Sequence, residues 1–256
     1  MLFDSLAHCT EDGSWFDTNH DASFNRLHLE MKKYNVERAI LSGLSGEGYN
    51  EFVIRIAAND KRFFAVPMME DIRTEEIVKW GEELNRMNIR AVKFHPRFCK
   101  CGLNSEAFNT LLKICRQFKF LLFVCTVPNY ENGLEGSNFV RDLQSIVSKN
   151  QDINFVLLHG GYNQILQLSE SLRQFENSII DMSATIIRFK SSSISLDIKY
   201  LFETFDKRIC LGTDFPEYDY EMLFKVLSEM GISYSTALQS GALGTNLSNF
   251  IKRNDA

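Results

Sequence analysis

The sequence contains little proline and no segment that is typical of an interdomain linker. Four prolines are spread over 256 residues, and no internal repeat or low-complexity tract interrupts the chain. Hydrophobic residues make up 45% of the sequence, which is enough apolar material for one sizeable core. We therefore expect residues 1–256 to form a single domain.

The sequence also lacks any dense cluster of lysine and arginine. Its formal net charge is −5 at pH 7 and its pI is about 5.6, so no long-range attraction favours nucleic acid or an anionic membrane. These features predict a small-molecule substrate, and they leave open whether the chain forms a homo-oligomer.

Long apolar runs are absent as well. No segment reaches the roughly 18 consecutive apolar residues that would span a bilayer, and the N-terminal residues MLFDSLAHC lack a basic region followed by an apolar stretch. The expected location is therefore cytoplasmic, where cysteines remain free thiols. Three of the six cysteines lie in apolar runs, where a thiol packs as a small hydrophobic group: Cys115, Cys125 and Cys210.

Short apolar segments alternate with stretches that carry one apolar stripe at helical spacing. This alternation predicts either a closed parallel barrel or an open doubly wound sheet. The first strand-to-helix turn, HCTEDGSWF, has no G-x-G-x-x-G pattern to hold a dinucleotide phosphate, which favours an α/β fold of the (β/α)8 TIM-barrel type. The eight predicted strands start near Leu2, Glu37, Arg62, Ile89, Phe120, Ile153, Ser178 and Arg208.

Capping residues predict several helix boundaries. Thr74, Asn104 and Ser137 are candidate N-caps, and Gly231 follows the apolar stripe of the last barrel helix. The tail from Ser233 to Lys252 is predicted as an extra helical segment that breaks near Ser240-Gly241 and packs across one end of the barrel.

Polar side chains collect at the predicted strand ends, where they can line the mouth of a barrel instead of being buried without partners. Side-chain alternation on the fourth strand predicts that Val92, Phe94 and Pro96 face the helices. The three basic residues of that segment would then share the inward side. The strand-end residues are His8, then Lys93, His95 and Arg97, then Cys125-Thr126, then His159 with two glycines, and Thr213-Asp214.

These segments resemble the amidohydrolase (metal-dependent hydrolase) superfamily, and within it the amidohydrolase-related branch, also called amidohydrolase family 2. The resemblance extends over nearly the whole chain and rests on FDSLAH, RAVKFHP, FVLLHGG, DMSA, RICLGTDFP and GALGTNLSNF. LLHGG and LGTDFP, in this order and at these strand ends, are the most specific pair. The resemblance implies a (β/α)8 barrel with a divalent metal at its mouth.

The sequence departs from the family pattern at two positions. Leu6 stands where the first of two paired metal-binding histidines is expected, and Cys125 stands where a further histidine is expected. The residues that carry over are His8, His159 and Asp214. Two routes stay open: one zinc ion on a reduced ligand set of His8, His159, Asp214 and Cys125, or no metal, as in lactone-opening members of this branch.

The resemblance implies a hydrolase for a small acidic or sugar-like lactone, ester or amide. Asp214 would act as general base, His159 would position water or the oxyanion, and the cations Lys93, His95 and Arg97 would hold the negative group of the substrate. A decarboxylase, another activity of this branch, normally needs the metal.

Other interpretations of the same residues stay open. Lys93 could instead pair with Asp4 or Asp214 as internal structure, and Cys125 could simply be packed. Cys99 and Cys101 form only half of a metal-binding knuckle. The alternative to an enzyme is a catalytically inactive barrel that binds a ligand or partner. The loops Thr10–Asp21 and Asn129–Gly136 would select the ligand, and neither contains a recognisable signature.

Overall fold

The computed structural model describes residues 1–46, 48–128, 139–205 and 207–254. Parallel strands alternate with helices along the chain. The strands are β1 (Phe3–Ala7), β2 (Arg38–Ser42), β3 (Phe63–Val66), β4 (Ala91–Phe94), β5 (Leu121–Cys125), β6 (Phe155–Leu158), β7 (Ser178–Asp181) and β8 (Ile209–Cys210). The helices are α1 (Phe24–Lys33), α2 (Tyr49–Asn59), α3 (Thr74–Arg86), α4 (Pro96–Cys99), α5 (Glu106–Phe118), α6 (Phe139–Lys149), α7 (Ile165–Leu172), α8 (Thr185–Arg188), α9 (Ile194–Thr204), α10 (Tyr220–Glu229), α11 (Tyr234–Gln239) and α12 (Thr245–Asn254).

Backbone hydrogen bonds close the strands into a barrel. Strands β1 to β3 and β4 to β8 form two parallel sheets in sequence order. The two sheets are joined on one side by the Lys93 N–H, which donates to the Pro67 carbonyl oxygen at 2.8 Å. On the other side, the Ser5 N–H donates to Leu211 at 3.1 Å. The predicted (β/α)8 barrel is therefore confirmed.

The C-terminal helix α12 covers the end of the barrel at which the strands begin. Leu247 and Phe250 join the apolar cluster of the barrel interior, and the Asn254 amide donates to the carbonyl oxygen of Lys119, just before β5, at 2.7 Å. The predicted break between the last two helices is confirmed, because Gly241 lies between α11 and α12 with φ +80°. The polar strand-end residues lie at the opposite end of the barrel, where the strands finish.

Two predicted caps differ from the structure by one residue. Ser105, and not Asn104, accepts the Phe108 N–H at 3.1 Å and caps α5. Thr74 is the first residue of α3, which has Arg73 at its N-cap. Gly231, with φ +74°, follows α10 as predicted, whereas Ser137 lies outside the described residues.

Alternation on β4 holds as far as the strand extends. Val92 and Phe94 pack against the helices, and the rings of Phe94 and Phe108 have centroids 4.5 Å apart. The prediction is wrong for Arg97, because Pro96 starts the short helix α4 and the strand ends two residues earlier. Arg97 is consequently exposed. No helix in the described ranges has the length and apolar character needed to cross a membrane.

Candidate active site

A cluster of polar side chains occupies the mouth of the barrel, where the strands end. Each member is buried except Asp214, whose side chain is 13% exposed. Burial of this many ionisable groups is costly unless they compensate one another. Hereafter the polar cluster means His8 after β1, Lys93 in β4, His95 after β4, Cys125 at the end of β5, His159 after β6 and Asp214 after β8.

His8 and Asp214 form one half of the polar cluster. His8 Nε2 lies 3.5 Å from Asp214 Oδ1, and His8 Nδ1 lies 2.9 Å from the carbonyl oxygen of Ser42. Only an N–H can satisfy that carbonyl, so a neutral His8 ring presents its Nε2 lone pair to the mouth. Burial, and then the charge of Lys93, lower the pKa of His8 to about 4. Near neutral pH the Nε2 lone pair of His8 therefore faces a carboxylate oxygen of Asp214, and both atoms are hydrogen-bond acceptors.

The pKa of Asp214 reflects its neighbours. Burial by itself would raise this pKa, but a hydrogen bond from protonated His8 and the positive charges of His159 and Lys93 outweigh burial and lower the pKa to about 2. When His8 is neutral, the charges of His159 and Lys93 still favour the ionised form of Asp214. Asp214 is therefore a carboxylate throughout the neutral range. Two acceptors at this separation can accept both hydrogens of one water molecule.

Cys125 and His159 form the other half of the polar cluster. The Cys125 thiol is in hydrogen-bonding contact with His159 and with His95. Burial favours the neutral thiol, but the two imidazoles outweigh it and lower the pKa of Cys125 well below its usual range. Burial likewise opposes protonation of His159, but Cys125 and Asp214 raise the pKa of His159 to about 9. The pair is therefore a thiolate beside an imidazolium.

Lys93 supplies the second positive charge. Burial lowers its pKa to about 8, while the charges of Cys125 and Asp214 act in the opposite direction. Lys93 is thus mostly protonated at neutral pH. Of the two carboxylates considered from the sequence, Asp214 is the one near Lys93, because Asp4 accepts hydrogen bonds from Thr213 instead. In the polar cluster the cations Lys93 and His159 therefore compensate the anions Asp214 and Cys125.

Left-handed backbone conformations aim two of these side chains into the mouth. His159 has φ +63° and Asp214 has φ +59°, a region that costs a residue other than glycine roughly 1–3 kcal/mol. On β6, Phe155 and Leu157 face the helices, so simple alternation would direct His159 outward as well. The turn through Gly160 and Gly161, both with positive φ, reverses that direction. The His-Gly-Gly motif was the only sequence signal of this reversal.

Aromatic side chains from the loop after β1 and from α4 form a wall of the mouth that the sequence did not predict. Trp15 packs on His8 with ring centroids 5.3 Å apart, and Phe98 packs on His95 at 4.3 Å. Phe16 connects the two by contacting both Trp15 and Phe98. One wall of the mouth is therefore suited to a flat or apolar part of a ligand.

A polar rim also borders the mouth. The Arg188 guanidinium stacks over the Tyr162 ring, 5.5 Å from its centroid. Burial, and then the charge of Asp214, raise the pKa of Glu217. The charge of exposed Arg97 acts on Lys93 and His95, so Arg97 belongs to the rim although it does not point inward from a strand. The Asn129–Gly136 loop lies outside the described residues.

The donor set does not fit a metal ion. Within the described parts of the chain, no three His, Cys, Asp or Glu side chains are grouped so that they could hold a metal. Leu6 has no lone pair and packs in the barrel interior. His8 pairs with Asp214, and Cys125 pairs with His95 and His159. The positive charge of Lys93 lies close to Asp214 and Cys125. The four-residue ligand set from the sequence therefore remains a prediction without a matching geometry.

No protein-family model and no curated protein matches the sequence, but solved structures match almost the whole chain. An uncharacterized TIM-barrel protein from Bordetella bronchiseptica is 12% identical with a TM-score of 0.79, covering 100% of this chain and 99% of the other. A probable 2-pyrone-4,6-dicarboxylic acid hydrolase from Acinetobacter baumannii, with citric acid bound, is 14% identical with a TM-score of 0.71, covering 98% and 99%.

An amidohydrolase from Burkholderia multivorans gives similar values. Its structure with zinc is 15% identical with a TM-score of 0.67, covering 98% of this chain and 99% of the other. The matched structures include both hydrolases and decarboxylases. This chain therefore has the (β/α)8-barrel fold, matched over nearly its full length at low sequence identity by solved structures that include amidohydrolases, which confirms the predicted fold and the predicted structural resemblance to those proteins.

Proposed function

We propose that this protein is a hydrolase that opens a small lactone or ester bearing a carboxylate group. The observation that carries the proposal is the buried Asp214 carboxylate beside the unprotonated Nε2 of His8, opposite the cations His159 and Lys93. A water molecule between the two acceptors would be held with both hydrogens directed away from the substrate. Its oxygen lone pair would then face a carbonyl carbon.

Electrostatic stabilisation by the two cations is the larger contribution to this mechanism. As water attacks, its proton passes to Asp214, and the carbonyl oxygen becomes an oxyanion that the ammonium of Lys93 and the imidazolium of His159 stabilise. The carbon–oxygen bond of the leaving group then breaks, and the imidazolium of His159 donates its proton to the alkoxide. The products are a carboxylic acid and an alcohol. Asp214 then releases the proton that it accepted and His159 takes one up, both by exchange with solvent, so the enzyme returns to its starting state.

The acidity of the bases indicates the substrate class. Asp214 and His8, with pKa values of about 2 and about 4, are weak bases, and proton transfer is most effective when the pKa lies near the working pH. A weak base is adequate when the carbonyl is already electrophilic, as in a lactone or ester. We therefore expect amides to react more slowly than the matching esters.

The rim and the aromatic wall support recognition of a planar acid. Arg97 and Arg188 could bind a carboxylate near the mouth, and Trp15, Phe98 and Tyr162 offer ring faces to an apolar or conjugated part of the ligand. The citric acid bound in the Acinetobacter baumannii hydrolase is a small polycarboxylate of this kind.

The test is turnover of a panel of carboxylate-bearing lactones and esters, each paired with its amide analogue. The enzyme is assayed after dialysis with and without a chelator. We expect hydrolysis of at least one lactone or ester, faster than of its amide, that survives chelation. Loss of turnover on chelation, with recovery on adding zinc, would favour the metal route. Release of carbon dioxide without ester hydrolysis would contradict the proposal.

One observation favours a second candidate, a barrel that binds a ligand without converting it. Leu6 and Cys125 replace two family ligands, and no metal-binding group is found in the described residues. This candidate predicts that a polycarboxylate such as citrate raises the thermal midpoint of unfolding, while no member of the panel is converted. The Lys93→Met variant should lose that stabilisation under either candidate, so only turnover separates them.

A further inference from the structure

A buried carboxylate at the end of β7 contacts His159 and takes no part in the proposed hydrolysis. Asp181 is the last residue of β7 and is fully buried. A buried carboxylate is costly unless hydrogen-bond donors compensate it. Asp181 Oδ1 accepts the N–H groups of His159 and Ser183 and the Ser183 hydroxyl, and Oδ2 accepts the Ser5 hydroxyl. The carboxylate therefore links β1 and the turn after β7 to the turn that carries His159.

The first of these hydrogen bonds fixes the backbone of His159. Its N–H donates to Asp181 Oδ1 at 3.2 Å, and its carbonyl oxygen accepts the Thr185 hydroxyl at 2.7 Å. The same turn is held further along, where the Gly161 N–H donates to the Thr126 hydroxyl at 2.6 Å. His159 needs this support because its φ of +63° is unfavourable for a residue other than glycine.

A second route leads from Asp181 to the imidazole ring of His159. The Ser183 N–H donates to Asp181 Oδ1 at 3.1 Å, and the Ser183 carbonyl oxygen lies 3.1 Å from His159 Nδ1. A carbonyl oxygen can only accept, so His159 Nδ1 carries a hydrogen. The other ring nitrogen, Nε2, is therefore the one that faces Cys125 and the mouth. Asp181 holds the segment whose carbonyl oxygen sets this ring orientation.

The charge of Asp181 favours the same state of His159. Burial opposes protonation of His159, but Cys125, Asp214 and Asp181 raise its pKa to about 9. In return, burial raises the pKa of Asp181, and the positive charge of His159 acts against that increase. The carboxylate of Asp181 and the imidazolium of His159 therefore stabilise each other.

We infer that Asp181 is a positioning residue that holds His159 with Nδ1–H on the Ser183 carbonyl oxygen and Nε2 toward the mouth. Its effect on catalysis rests on the proposed hydrolysis, in which His159 stabilises the oxyanion and then protonates the leaving alkoxide. Both steps need Nε2–H within hydrogen-bonding reach of the substrate. Asp181 is enclosed by protein groups, so it acts through His159 and not on the substrate itself.

Two variants separate the hydrogen bonds of Asp181 from its charge. Asp181→Asn keeps an oxygen that can accept the N–H groups of His159 and Ser183 but removes the charge, whereas Asp181→Ala removes both. NMR of the imidazole nitrogens shows which ring nitrogen carries a hydrogen and whether that hydrogen exchanges slowly. We expect a slowly exchanging Nδ1–H of His159 in the wild type and in Asp181→Asn, and its loss in Asp181→Ala.

The charge has its own readout in Asp181→Asn. Removal of a nearby opposite charge should lower the pKa of His159 by about one unit. Asp4→Asn is the matched control, because Asp4 is another buried carboxylate but accepts its hydrogen bonds from Leu6 and Thr213. Asparagine keeps an acceptor for both of these N–H groups. The control should leave the Nδ1–H signal and the pKa of His159 unchanged.

The kinetic readout is the division of the effect between kcat and KM on the best lactone or ester. Asp181→Ala should lower kcat about 10- to 100-fold, the loss typical of a residue that orients a functional histidine. KM should stay close to that of the wild type, because the rim residues Arg97 and Arg188 are unchanged. Asp181→Asn, which keeps the ring orientation, should recover part of the loss.

The inference is overturned if the slowly exchanging Nδ1–H of His159 survives in Asp181→Ala, or if Asp4→Asn shifts the His159 signals as much as Asp181→Asn does. If Asp181→Ala does not fold, an unchanged pKa of His159 in Asp181→Asn overturns it. The NMR readouts need no turnover. A wild-type protein that hydrolyses no lactone or ester therefore contradicts the proposed function, while the His159 signals still decide the role of Asp181.

Discussion

Replacing Cys125 with alanine should lower the pKa of His159. The hydrogen bond from His159 to Cys125 is the largest of the effects that raise this pKa to about 9, while burial acts in the opposite direction. Hydrogen bonds to charged groups contribute about 1.5–3 kcal/mol, and one pKa unit corresponds to about 1.4 kcal/mol. The His159 pKa should therefore fall by about 1–2 units in Cys125→Ala.

The pH dependence of the free energy of unfolding should change together with the pKa of His159. The pKa of His159 is higher in the folded protein than the value of about 6.5 expected in the unfolded chain. Protonated His159 therefore contributes stability below about pH 6.5, and that contribution is lost as the pH rises through about 9. In Cys125→Ala the loss should occur at lower pH.

The assay is an NMR titration of the histidine imidazoles, with the His159 signals assigned from His159→Gln. Urea unfolding over the same pH range gives the free energy of unfolding. Cys115→Ala, a substitution at a buried cysteine in α5, is the matched control and should leave the His159 titration unchanged. A His159 pKa that stays near 9 in Cys125→Ala would refute the thiolate–imidazolium pair.

Three further predictions concern stability and are checked by urea unfolding. Leu6→His puts an imidazole into the apolar barrel interior and should cost about 2–4 kcal/mol, whereas Leu6→Met should cost less than about 1.5 kcal/mol; equal costs would contradict the apolar environment. Gly161→Ala should cost about 2–4 kcal/mol, because a Cβ at φ +77° would meet Leu168 at 3.0 Å; Gly48→Ala, at φ +83° with nothing within 4 Å, should cost only about 1 kcal/mol. Ser105→Ala should cost about 1 kcal/mol by removing the cap of α5, and Asn104→Ala less than about 0.5 kcal/mol; the reverse order would restore Asn104 as the cap.

The barrel could be predicted because its strands are short apolar runs that alternate with amphipathic helices, and both patterns are visible in the sequence. The closing helix followed from the periodicity of the tail and the break at Gly241. Position along the chain was enough to select the members of the polar cluster, because the carboxyl ends of parallel strands meet at one end of a barrel.

What the sequence could not predict depends on local backbone turns. Side-chain alternation predicts an inward-facing Arg97 on a strand, but Pro96 starts a helix there. His159 reaches the mouth only through a left-handed turn, which alternation does not encode. The pairing of Cys125 with His159 joins residues on neighbouring strands, and a thiol that ends an apolar run has the same sequence signature whether it is packed or ionised.

The most direct test of the central claim is kcat/KM of Asp214→Asn on the best lactone or ester. The amide keeps the shape of the side chain but removes the charge that faces His8 and His159. Loss of a general base predicts a decrease of about 100-fold or more, while Asp197→Asn in α9, outside the barrel mouth, should match the wild type. Equal turnover by Asp214→Asn and the wild type would remove Asp214 from the mechanism and contradict the proposed hydrolysis.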